Sequence, residues 1–319
     1  MLLGGLAGAA LATAGGLTGA VIHARRKQPK ATVFTAKATS YDVNLSDVLR
    51  RGIDAFPDFK AAVRGARVLL KPNFVEFHPG RPINTDVRFV AAAAEAMRQL
   101  GAATVTVGEG PGHFRDTDYL LEHSGLGALL DDVGVPFVDL NLEPGVPSTL
   151  VHNLTKLGEL RIAAAVRQAD LVVSLAKLKV HHWAGATLTM KNLFGVVPSA
   201  IYGWPKNPLH WAGIDRSILD LWSTVRPAFG IVDGIIGMEG DGPIMGTAKP
   251  MGVLVMGDNL PAVDATCCRL MGIEPLKVPY LAAASKMGGT IHPSRITERG
   301  EEVAPDPFEL LPHLQHMRA

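Results

Sequence analysis

The sequence predicts an α/β fold, a mostly parallel sheet with helices on both faces, and three observations carry that prediction. Short apolar runs alternate with stretches of helical period. Several runs are continuously apolar, as strands covered on both faces are. Each run then stops at a charged or amide side chain beside Gly or Pro. Two intimately packed α/β halves are a variant of the same class, with residues 141–160 as the candidate seam.

Taken in order, residues 66–70 (Ala-Arg-Val-Leu-Leu) read as a buried strand ending at Lys71-Pro72-Asn73. Thr85 is placed to cap the next helix, whose apolar face carries Val87, Phe89, Val90, Ala94, Met97 and Leu100 and which closes at Gly101. Residues 104–107 form a strand that runs into Gly108-Glu109-Gly110-Pro111-Gly112, and a helical stretch to Val133 leads to a strand at 136–140. Further strands are expected at 170–175, 229–232 and 252–256, and helices at 186–193, 215–225, 260–271 and 280–287.

Composition narrows the functional classes. With 31 basic against 30 acidic side chains the chain lacks the cationic excess of a nucleic-acid binder, so nucleic acid is not expected as a partner. A 47% apolar and 19% charged composition excludes a disordered chain or a charged coiled coil. Residues 2–22 carry no charge and are followed by Arg25, Arg26 and Lys27. That length can cross a bilayer, though Gly and Ala dominate it. Residues 1–30 are therefore expected to be a signal-like or membrane-anchor segment with a basic linker. The segment reads either as a bacterial-type export signal without its upstream arginine pair, or as an anchor whose basic run keeps the following chain in the cytoplasm. Membrane association or export follows as the expected localisation, with residues 31–319 forming a single α/β domain. Cys267 and Cys268 are adjacent and no C-x-x-C pair occurs, so the chain by itself supplies no cysteine-ligated iron–sulfur cluster.

In open α/β sheets ligands bind beyond the carboxyl ends of the strands. Here those ends carry Lys71 and Asn73, then Glu109, then Lys177, Lys179 and His181, then Asp233. Such a series argues for convergence on one site. Lys177, Lys179 and His181 share one face of extended backbone, and Lys191 and Asn192 follow one short loop later. Three of the 13 lysines thus fall within 15 positions. Ammonium groups on facing loops suit a small anionic ligand, a carboxylate or phosphate. A buried lysine that loses its proton can instead serve as a base or a carbonyl nucleophile. A solvated basic loop is the plainer alternative, against which Leu178, Val180 and Trp183 speak. His181, Glu109 and Lys179 are the catalytic candidates; Lys71, Asn73, Lys177, Lys191, Asn192 and Asp233 are the ligand-binding candidates.

All four tryptophans (Trp183, Trp204, Trp211 and Trp222) lie within 40 residues, and the proline-rich stretch 197–212 among them also holds His210. That loop reads equally as a lid over a ligand or as a subunit contact. Histidines and acids are numerous enough to hold a metal ion, with His181, His210 and Asp264 as candidate ligands, but without metal-motif spacing. No G-x-G-x-x-G, Walker lysine or nucleophile elbow is present.

The motif series Leu-Leu-Lys71-Pro-Asn73, Gly108-Glu109-Gly-Pro, Ser124-Gly125-Leu126, Lys177-Leu-Lys179-Val-His181, Met190-Lys191-Asn192-Leu-Phe-Gly195, Val232-Asp233-Gly-Ile, Gly242-Pro243 with Gly246, and Ala262-Val-Asp264-Ala resembles domain-of-unknown-function family 362 across roughly residues 31–300. The resemblance implies a largely uncharacterised family in which export signals are common and some members carry an attached four-iron, four-sulfur ferredoxin segment. This chain lacks those ferredoxin cysteines. A remoter analogy is to the lactate racemases, α/β enzymes with a lysine-attached nickel-pincer cofactor, whose own motifs are absent here. Two functions stay open: a ligand- or metal-cofactor-binding enzyme acting on a small anionic substrate, and a membrane-tethered, non-catalytic partner of redox or iron–sulfur machinery. A homo-oligomer is compatible with either.

Overall fold

The computed structural model describes residues 29–112 and 116–319; the uncharged segment 2–22 lies outside them. A nine-stranded sheet organises the chain. Its spatial order is β4 (Phe137–Asp139), β3 (Thr104–Glu109), β2 (Arg67–Pro72), β7 (Leu171–His181), β9 (Phe229–Glu239), β10 (Thr247–Gly257), β1 (Ala31–Lys37) and β11 (Ile296–Gly300). A short strand, β8 (Gly185–Thr187), folds back antiparallel on the end of β7. The block from β4 through β9 is parallel throughout. Besides β8, β10 runs against its neighbours, pairing antiparallel with both β9 and β1. Strands β5 (Gly145–Thr149) and β6 (Glu159–Ala163) form a separate antiparallel pair within the stretch read as a seam.

Alternation along the strands sorts the core into two layers, because successive side chains leave a strand on opposite faces. Val68, Leu70, Leu254 and Met256 join one apolar cluster, while Leu69, Val253 and Val255 join the other. The first layer is closed by α1 (Leu45–Ile53), α2 (Pro57–Val63), α3 (Val87–Gln99), α4 (Thr117–Ser124) and α5 (Leu126–Asp132). Phe59 of α2 stacks on Phe229 of β9 at 4.2 Å between ring centroids. The second layer is closed by α6 (Ala164–Gln168), α9 (Ile214–Val225), α10 (Leu260–Leu270) and α11 (Pro279–Lys286), with the short α7 (Ser199–Tyr202) and α8 (Asn207–Trp211) on the intervening loop. The α/β class with helices on both faces is thus observed.

Three local expectations are corrected. Residues 186–193 are not a helix: β8 ends at Thr187 and a 3-10 helix spans Lys191–Val196. Here β8 pairs with Lys179–His181, and that pairing keeps the backbone extended. Thr85 does not cap α3. Asp86 does, its carboxylate accepting from Arg88 N, while the Thr85 hydroxyl donates to Leu175 O and accepts from Asn73 N. The helical stretch to Val133 is two helices, broken where Gly125 takes φ +76°, a left-handed conformation suited to glycine.

The topology places the site. From β2 the chain moves outward through β3 to β4, and then returns to add β7 and β9 on the other side of β2. Strand order reverses between β2 and β7, and in parallel sheets the carboxyl ends splay apart at such a point and leave a crevice.

Candidate functional site

The crevice holds a cavity of about 480 Å³ at the carboxyl ends of β2, β3 and β7. Its floor is an ion pair from neighbouring strand ends. Lys71 Nζ donates to Glu109 Oε1 at 2.7 Å and Oε2 at 2.8 Å, to Asn192 Oδ1 at 2.9 Å and to Pro72 O at 2.8 Å. Glu109 also accepts from Gly110 N and Phe74 N. Both side chains are 1% exposed. Burial lowers the Lys71 pKa, and Glu109 opposes that shift. Asn192 completes the arrangement by donating to Lys71 O and Ser174 Oγ. Each polar side-chain atom of Lys71, Glu109 and Asn192 is therefore hydrogen-bonded, the condition under which a buried ion pair is tolerated. Gly195 lies against the pair: a Cβ there would fall on Glu109 Oε1 and crowd the Lys71 ammonium. Gly195→Ala is expected to cost about 3 kcal/mol or more, combining overpacking with a broken pair, read as a lowered urea midpoint at unchanged m-value.

Above the floor stand three lysines that make no ion pair with a carboxylate among the described residues. Lys179 is fully buried and donates only to carbonyls, Ile83 O at 2.7 Å and Pro243 O at 3.4 Å. Lys206, also buried, donates to Gly110 O at 2.8 Å. Lys191 is half-buried, with its Nζ 3.9 Å from the centroid of the Phe194 ring and no hydrogen-bond acceptor among the described residues. Burial pushes the Lys179 pKa well below its ordinary value, and the neighbouring lysines push it further. Burial likewise brings Lys191 and Lys206 down to about 7. Lys191 and Lys206 are thus poised between charged and neutral near physiological pH, because taking a lone ammonium out of water costs more than the site returns.

His181 adds a fixed hydrogen-bond donor. Its Nδ1 accepts from Trp183 N at 3.1 Å and Ala184 N at 3.2 Å, so the neutral ring carries its proton on Nε2. Burial and the surrounding cations hold its pKa well below the usual histidine value. A histidine in this tautomer donates but does not accept a proton, and metal ligation through Nε2 would require removing that proton. The third metal candidate, Asp264, lies away from the cavity and accepts from Thr189 N, Thr189 Oγ and Met190 N. Burial raises its pKa to about 7 against those hydrogen bonds. Among the described residues no three histidine, cysteine, aspartate or glutamate side chains converge as a metal set.

The structure brings together Lys71, Asn73, Glu109, Lys179, His181, Lys191 and Asn192, with His210 on the same wall. It does not bring Lys177 and Asp233 there. They pair with each other at 2.8 Å and share the Tyr41 hydroxyl, Lys177 Nζ lying 2.9 Å from Tyr41 Oη. That trio lies beneath a second cavity of about 320 Å³, lined also by Arg81 and Arg88. A bulge in the β7–β9 register between Lys177 and Lys179 separates the two positions that alternation would keep together. Burial, then Asp233, raises the Tyr41 pKa far above its ordinary value.

Sequence reasoning overlooked Lys206, Glu76 and Thr187. Lys206 follows the cis Trp204–Pro205 bond with φ +66°. Its only sequence signal was a lone lysine within the proline-rich aromatic loop, which here forms a cavity wall through Pro205, Lys206 and His210. Two cavity-lining polar atoms, Asn73 Oδ1 and Thr187 Oγ1, are buried with no hydrogen-bond partner.

Comparison with known proteins agrees with the motifs. A thylakoid-associated protein of Synechocystis sp. is 29% identical over 233 residues, covering 70% of this chain and 68% of its own. Among solved structures, the lactate racemase apoprotein of Thermoanaerobacterium thermosaccharolyticum aligns with a TM-score of 0.47 at 15% identity over 77% of this chain, which spans 58% of that structure. A Thermotoga maritima protein aligns with a TM-score of 0.41 at 12% identity, over 70% of this chain and 57% of its own. Residues 68–269 match the family described as domain of unknown function DUF362, and these residues include every polar strand end around the cavity, so the chain belongs to that family.

Proposed function

We propose that the protein is an α/β enzyme acting on a small anionic substrate held in the cavity at the β2–β7 switch point. One observation carries this reading: Lys179, Lys191 and Lys206 line a single cavity and none of them ion-pairs with a carboxylate among the described residues, although Glu76, Glu109 and Asp241 share the lining. A bound carboxylate or phosphate supplies the missing charge and hydrogen-bond acceptors. It also gives an acceptor to the Thr187 hydroxyl. Lys71, Glu109 and Asn192 act as a rigid floor, and His181 donates from Nε2 to a substrate oxygen.

The pH dependence follows from the sign of the lysine shifts. The protonated amines attract the anion, and at Lys191 and Lys206 that form is lost as pH rises through about 7. Calorimetric titration with small carboxylates and inorganic phosphate is therefore expected to show saturable binding at pH 6 that weakens steadily towards pH 9. Lys206→Met should weaken it about tenfold or more, the loss of one charge-assisted hydrogen bond. Binding indifferent to pH and unchanged in Lys206→Met would overturn the reading.

A second reading, a membrane-tethered assembly partner, is favoured by the thylakoid-associated relative. No helix among the described residues is long and apolar enough to cross a membrane, so in this reading the tether is segment 2–22. Cell fractionation tests it: recovery of the full-length chain entirely in the soluble fraction sinks the tether.

A further inference from the structure

We infer that Lys191 is a carbonyl nucleophile, and that the cavity takes small 2-oxo acids, which form an imine with its ε-amine. The inference rests on the anionic-substrate reading and names its substrate class. Lys191 differs from its neighbours in what holds its nitrogen. Lys179 and Lys206 are tied to backbone carbonyls, which orients their protons into fixed hydrogen bonds. The Lys191 nitrogen rests on the face of Phe194, whose ring packs edge-on against His210 at 5.4 Å. An aromatic face steadies the cationic form but accepts no directed hydrogen bond, so the neutral amine keeps its lone pair available. Arginine grips an anion with a fixed fork of donors, whereas lysine is a point charge that gives up its proton readily when buried. A half-buried amine on an aromatic wall is the arrangement of a nucleophile instead.

The rest of the cavity supplies what imine formation needs. Lys179 and Lys206 hold the carboxylate. His181, with its proton on Nε2, hydrogen-bonds the carbonyl oxygen and polarises it. The Lys191 nitrogen forms a bond to the carbonyl carbon as the π pair moves to oxygen, which takes up one proton shed by the amine. The resulting carbinolamine expels its hydroxyl as water together with the second amine proton, leaving the imine. Amine and 2-oxo acid thus yield imine and water, with no oxidant or reductant involved. The burial that brings this amine down to about 7 keeps a large neutral fraction at physiological pH.

The test is reductive trapping of the full chain. The protein is incubated with pyruvate or glyoxylate and cyanoborohydride at neutral pH, then measured by intact mass and peptide mapping. One reduced adduct on Lys191 is expected, forming at least ten times faster than at any other of the 13 lysines. It should be absent in Lys191→Met, with the thermal melt of that variant confirming that it folds. Calorimetry with the same acids separates the two levels of the argument. Binding without an adduct on Lys191 overturns the nucleophile and leaves the anionic-substrate reading. An adduct spread evenly over surface lysines overturns the nucleophile as well. Neither binding nor adduct overturns both.

Discussion

Glu109→Ala is expected to destabilise the protein by about 3–5 kcal/mol, because it strands a buried ammonium rather than merely deleting a contact. Lys71 has no water to turn to: its side chain is 1% exposed and its remaining acceptors are Asn192 Oδ1 and Pro72 O. Two backbone donors, Gly110 N and Phe74 N, lose their acceptor at the same time, and each unsatisfied buried group adds to the loss. The double variant Lys71→Met/Glu109→Gln should recover part of that stability, since it removes the charge together with its partner. Equilibrium urea unfolding of the single and double variants measures both quantities. A single-variant loss below about 1 kcal/mol would contradict the account, because a pair that matters so little is one that water reaches.

Asp233→Ala should produce a loss of the same size, about 3–5 kcal/mol, yet leave anion binding in the larger cavity within twofold of the unaltered protein. Lys177 and Asp233 are 2% and 0% exposed at the side chain, so each depends on the other for its charge. Asp233 also accepts from Asp86 N, Ile235 N and Tyr41 Oη, linking β9 to the start of α3. Tyr41→Phe removes one hydroxyl and should cost about 1–2 kcal/mol. Urea unfolding measures stability, and calorimetry at a temperature where both variants remain folded measures binding. If Asp233→Ala folded normally but lost anion affinity tenfold, the two cavities would have to be treated as one site.

The strand ends were legible in sequence because the physics that produces them is local. Val68, Leu69 and Leu70 must be buried, and Lys71 directly after them must find either water or a partner. The same holds for Glu109 after Val107 and for Lys179 after Leu178. Lys177 was misplaced because period-two alternation assumes an unbroken register, and the bulge before Lys179 changes what each lysine meets. Residues 186–193 were read as helix because the short return of β8 is decided by its pairing with Lys179–His181, a tertiary contact that overrides local preference. Lys206 had no pattern to reveal it: the loop brings it to Gly110, 96 positions away in sequence.

Sequence alone determined the α/β class, the succession of buried strands, the family and most of the polar residues in the cavity. The family rests on the resemblance of a motif series along most of the chain, and the others on composition and spacing within a few tens of residues. The tertiary structure decided which polar residues share a cavity, which lysines are paired and which are left alone, and where the proton of His181 resides. Those outcomes depend on strand order. Because the chain returns to place β7 beside β2, Lys71, Glu109 and Asn192 meet as a closed floor while Lys179, Lys191 and Lys206 line the crevice with no ion-pair partner among the described residues. The low polarity of that buried environment lowers the pKa of all three crevice lysines, a property that no residue carries in its name.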